Sequence, residues 1–160
     1  MEPVIPVEEC AKQRLQVLVY AYSLFVKHLR EEGVDRDKVK RASDKVWKVL
    51  GAQAAEQLKP MFGETIQIEH LQQAGAIAEH IHGMEASQRI EGNQAQTEVT
   101  KCPWQDANMA LGMPEDWRFC TSGHQAFTQT MYKALDNNAS YNLTKKMPGG
   151  DPICEGITAI

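Results

Sequence analysis

Apolar positions in the first half of the chain recur with a helical period. The segment VEECAKQRLQVLVYAYSLFVKHLREEG has its most apolar window at Leu15–Val26 and ends in a glycine suited to a helix C-terminus. DRDKVKRASDKVWKVLGAQAAEQLK follows, with Val39, Ala42, Val46, Val49 and Leu50 at helical spacing and Pro60 after it. A third segment, TIQIEHLQQAGAIAEHIHG, repeats the pattern through Ile66, Leu71, Ala74, Ile77, Ala78 and Ile81. Three helices are predicted up to Gly83.

Beyond Gly83 the period changes. QRIEGNQAQTEVTKC alternates through Ala95, Thr97 and Val99, as a half-exposed strand does. RFCTSGHQAFTQTMYKALDNN returns to helical spacing, closed by Asn137 and Asn138. The tail reads as two strand-like runs around Pro148-Gly149-Gly150-Asp151, a hairpin signal. The expected layout is one domain over residues 1–160, mainly helical over 1–83 and strand–helix–hairpin over 84–160.

Composition agrees with one globular domain: 160 residues, 42% hydrophobic and 24% charged. A net charge of −4 and a pI near 5.7 argue against a nucleic-acid partner, which needs clustered Lys and Arg. The basic run Arg36, Lys38, Lys40, Arg41, Lys45 and Lys48 is interleaved with Asp35, Asp37 and Asp44, the pattern of a solvated helix face. Glu2, Glu8 and Glu9 stand where a secretory signal carries positive charge, and no small-residue cleavage site follows an apolar run. The Leu15–Val26 window is shorter than the about 20 residues that a bilayer requires. A cytoplasmic chain without a membrane partner is therefore expected. In that setting four cysteines read as thiols, metal ligands or catalytic groups rather than as a disulfide framework.

Three of those cysteines hold distinctive places. Cys102 ends a strand and is followed by Pro-Trp, Cys120 opens a helix, and Cys154 lies just past the hairpin turn, whereas Cys10 stands apart on the first helix. Strands laid side by side with the helix across them would bring the three together. Their spacings, C-x17-C and C-x33-C, match no standard zinc or iron–sulfur pattern, and buried cysteine is also an ordinary small core residue. His124 follows Cys120 by four residues on the same helix face, which suits an activated thiolate pair or two soft metal ligands. A short helix begun by Pro103 would place Asp106 one turn from Cys102. Asp151 either caps the hairpin turn or faces the thiols. His70 and His80 are about 80° apart on a helical wheel, and His82 lies nearly opposite His80, so one straight helix cannot gather them around a metal. These three are expected to be exposed or interfacial, and His28 to sit on the surface.

The set CPWQDANMALGMPED, the helix opened by Phe119-Cys120 and YNLTKKMPGGDPICEG resembles the L-2-amino-thiazoline-4-carboxylic acid hydrolase family over roughly Val99–Gly156. The resemblance implies opening of a cyclic amidine: water adds to the ring carbon bonded to sulfur and nitrogen, and the ring opens to a carbamoyl-type cysteine derivative. On that reading Cys102, Cys120 and Cys154 supply thiolates, and His124, Asp106 and Asp151 move protons. Trp104, Phe127 and Thr128 would contact substrate. The order of elements also looks like that of 4-vinyl-reductase-type small-molecule-binding domains. This second likeness implies an α+β fold, with N-terminal helices packed on a small antiparallel sheet and a helix between the Cys-bearing strands. It also implies a rival function, ligand sensing without catalysis. A further alternative has Cys102, Cys120 and Cys154 holding zinc or an iron–sulfur cluster, and another has them as structural groups in an accessory subunit. A short final strand left at a sheet edge suggests a homodimer.

Overall fold

The computed structural model describes residues 6–160, apart from the side chain of Thr121. Glu2, part of the argument on export, lies outside the described residues. The three predicted helices form as α1 (Val7–Glu31), α2 (Arg36–Phe62) and α3 (Ile68–Ile81). Asp35 caps α2 by accepting a hydrogen bond from the Lys38 N–H at 2.9 Å. Pro60 does not follow α2 but sits in its last turn, and the helix runs on to Phe62. At the start of α3 His70 Nδ1 accepts from the Gln67 N–H at 3.1 Å, and its ring stacks on Phe62. The basic stretch of α2 is largely exposed and internally paired, Lys40 with Asp44 and Arg36 with Asp37.

Four antiparallel strands follow: β1 (Glu85–Glu91), β2 (Gln94–Lys101), β3 (Ser140–Lys145) and β4 (Cys154–Ala159), in the sheet order β1-β2-β4-β3. Strand β1 has no expectation behind it, because its EASQRIE sequence barely alternates in polarity. The sign of it lies in the turn: Glu91 pairs with Gln94 across Gly92-Asn93, and Gly92 takes φ +62°. Strand β4 is not an edge. It lies between β2 and β3, so the edge-strand reason for a homodimer falls.

Helix α4 (Pro103–Ala110) leaves β2 directly, with Pro103 in its first turn, and α5 (Cys120–Leu135) lies between the two pairs of strands. The fold is α+β. Ala95, Thr97 and Val99 of β2, with Tyr141 and Leu143 of β3, are buried beneath α3 and α5. Helix α2 packs on α5, so closely that a Cβ on Gly51 would meet the Phe127 carbonyl oxygen. The main core runs through Trp47, Leu71, Trp104, Phe127, Met131 and Tyr132; a smaller one joins Val26, Val39, Met113 and Phe119. Among the described residues no helix is long and apolar enough to cross a membrane.

Candidate functional site

The register of the sheet brings two cysteines to one place. Val99 pairs with Cys154, and Cys102 follows three residues later at the start of α4. Helix α5 crosses above them and turns Cys120, His124 and Phe127 inward, the i, i+4, i+7 spacing of one helix face. Trp104 and Gln105 enter from α4, Trp47 from α2, His82 and Met84 from the end of α3, and Met147 and Pro148 from the β3–β4 connection. Together they enclose a cavity of about 570 Å³ counted with its open mouth. Side chains crowd its interior. Aromatic rings meet edge to face along its wall: Trp47 with Trp104 at 5.2 Å and His82 with Phe127 at 5.1 Å between centroids.

Burial sets the charge state of the lining. It pushes the Cys102 thiol up to about 11, against hydrogen bonds from the backbone of Gln105 and Trp104. It raises Cys154 as well, although the Met147 N–H donates to its sulfur at 3.3 Å. Desolvation lowers His124 to about 4, with His82 nearby adding to the effect, and desolvation lowers His82. Both imidazoles are therefore neutral at pH 7. His124 Nε2 is hydrogen-bonded to the Tyr141 hydroxyl at 2.9 Å, which fixes its ring. Two buried polar atoms of lining residues, Trp47 Nε1 and Gln105 Oε1, have no hydrogen-bond partner. The Tyr22 hydroxyl lies near the indole but is hydrogen-bonded to Ser43.

Of the candidate residues, Cys102, Cys120, Cys154, His124, Trp104 and Phe127 all line this cavity. Asp106, Asp151 and Thr128 do not. Asp106 is exposed on the outer side of α4, beside Lys101 and the α1 groove. The exposed Asp151 carboxylate accepts from the Lys146 N–H at 2.7 Å and closes the turn. Thr128 is buried outside the cavity lining. Among the described residues no three His, Cys, Asp or Glu side chains are grouped to hold a metal ion, so the arrangement gives no support to a zinc or iron–sulfur site on Cys102, Cys120 and Cys154.

Sequence reasoning missed His82, Trp47 and Gln105. His80 is exposed as expected, but His82 turns into the cavity, contrary to the exposed or interfacial expectation. The signal was in the helical wheel: of two residues on opposite sides of a packed helix, one faces the core.

No protein-family model matches the chain, and neither does any curated protein. Solved structures do. The phenol-responsive sensory domain of the transcription activator PoxR, determined with phenol, superposes with a TM-score of 0.65 at 16% identity, over 88% of this chain and 73% of that one. Subunit 3 of a trafficking protein particle complex from Naegleria fowleri, covalently bound to palmitic acid, superposes with a TM-score of 0.59 at 10% identity, over 92% and 95%. At these identities the likeness is one of fold.

Proposed function

We propose that this domain binds a compact, mostly apolar small molecule, aromatic in character and carrying one hydrogen-bond donor, and that it works as a ligand-responsive module. The observation that carries this reading is the chemistry of the lining: tryptophan, phenylalanine, methionine and protonated thiol surfaces, two neutral imidazoles and no carboxylate. The unpartnered Gln105 carbonyl is an acceptor waiting for a donor such as a phenolic O–H. The crowded interior admits a ring only as flexible lining side chains such as Met84 and Met147 shift, which keeps the ligand small. The fold is shared with a sensory domain that responds to phenol and with a subunit that carries palmitic acid, which supports ligand binding over turnover.

Amino-thiazoline hydrolysis is the second reading, favoured by the meeting of three cysteines and His124 in one cavity. Raised thiols and outward carboxylates weigh against it, since ring opening needs a thiolate or an activated water and a proton donor at the leaving atom. Calorimetric titration with phenol and with toluene, beside chromatographic assay of 2-amino-thiazoline-4-carboxylate, separates the two. Saturable binding of phenol, tighter than of toluene, with no consumption of the thiazoline is the expected result. Turnover of the thiazoline without phenol binding overturns the proposal.

A further inference from the structure

Helix α1 carries two apolar stripes. Leu15, Val19, Tyr22, Val26 and Leu29, alternately four and three residues apart, face the domain. A second series, Val7, Ala11, Arg14, Leu18, Ala21 and Phe25, has the same alternating spacing about 100° around the helix, and every member is exposed. Val17 widens that stripe. Leu18 is 60% exposed and Phe25 62%, large for apolar side chains aligned on one face of a helix.

We propose that α1 pairs antiparallel with α1 of a second copy of this chain through this stripe. Three features of the helix select that occupant. Four-three spacing is the seam of a two-helix coiled coil. About a two-fold axis between Arg14 and Leu18, Val7 meets Phe25, Ala11 meets Ala21 and Arg14 meets Leu18, so small residues oppose small ones and large oppose large. The end charges agree in register: Glu8 and Glu9 of the acidic first turn stand opposite residues 24 and 23 of the partner's helix, about one turn from its Lys27 and two turns from its Arg30. A parallel pairing would instead set like charges together. At roughly 100 Å² for each of Val7, Val17, Leu18 and Phe25, with smaller shares from Ala11, Ala21 and the Arg14 stem, pairing removes on the order of 1,200 Å² in total, the area at which stable interfaces begin.

Sedimentation equilibrium of the whole chain at micromolar concentrations tests this directly. The expected result is a reversible dimer, with Leu18→Glu raising its dissociation constant about 100-fold while circular dichroism stays that of the wild type. Met61→Glu, at an exposed apolar site of α2 outside the stripe, leaves the dimer intact. A monomeric wild type, a dimer indifferent to Leu18→Glu, or equal dissociation by Met61→Glu each overturn the proposal.

Discussion

At the scale of single residues, the cavity's polarity is set by desolvation. With its pKa at about 11, Cys102 is about 0.1% thiolate at pH 8, so alkylation by iodoacetamide, followed by mass spectrometry, is expected to run about 100-fold slower at Cys102 than at an unhindered peptide thiol. Labelling at the peptide rate would mean an activated nucleophile and would favour catalysis. Gln105→Leu keeps the volume and removes the unpartnered acceptor. It is expected to weaken phenol binding about tenfold, one hydrogen bond, and to leave toluene binding unchanged. Equal losses for both ligands would assign Gln105 to packing. Asp151→Asn keeps an oxygen for the Lys146 N–H, so near-normal melting temperature and undiminished phenol affinity are expected.

At the scale of elements, close helix contacts fix the cavity wall. A Cβ on Gly51 would lie 2.3 Å from the Phe127 carbonyl oxygen, and one on Gly123 would lie 2.5 Å from the Trp47 ring. Backbone cannot yield there without moving α5. Gly51→Ala is therefore expected to cost about 2–3 kcal/mol in urea unfolding and to weaken phenol binding, since Phe127 is part of the wall; an unchanged midpoint would contradict the packing described. The same contacts explain what the sequence could reveal. The periods of α1 and α3, the strand through Ala95, Thr97 and Val99, and the closing hairpin were legible because each buries one regular face, whereas α2 forms where its period predicts but leaves Ala42, Val46, Val49 and Leu50 exposed and buries Val39 with Ser43, Trp47, Gly51 and Ala55 instead. Strand β1 was not, because it is an edge strand with little apolar burial, signalled only by Gly92-Asn93. The meeting of Cys102, Cys120 and Cys154 followed from strand ends and a helix start. The outward turn of Asp106 and Asp151, and the arrival of Trp47 from α2, depend on how the layers stack, which no local pattern encodes.

At the scale of the whole molecule, two buried groups shape stability with opposite signs. Burial raises Glu79 from 4.5 to about 7, despite a hydrogen bond from Gln88 at 2.9 Å. Between those values the folded state binds more protons than the unfolded state, so stability falls as pH rises through that window. His124, lowered from 6.5 to about 4, does the reverse: the unfolded state binds the extra proton, and stability falls as pH drops through its window. The slopes oppose each other between pH 4.5 and 6.5, the overlap of the two windows. Glu79→Gln removes one of them. Urea unfolding is expected to show the variant more stable than the wild type by roughly 2–3 kcal/mol at pH 8, with a smaller gain at pH 5; an equal difference at both would contradict the assignment. Uptake of one aromatic ring by the cavity is read most directly from the three indole N–H resonances. Trp47 and Trp104 line the cavity, whereas Trp117 packs against the separate small core of Val26, Val39, Met113 and Phe119. In a ¹H–¹⁵N titration with phenol, the two cavity indoles are predicted to shift saturably while Trp117 stays in place; three unmoved resonances, or equal shifts of all three, would contradict it.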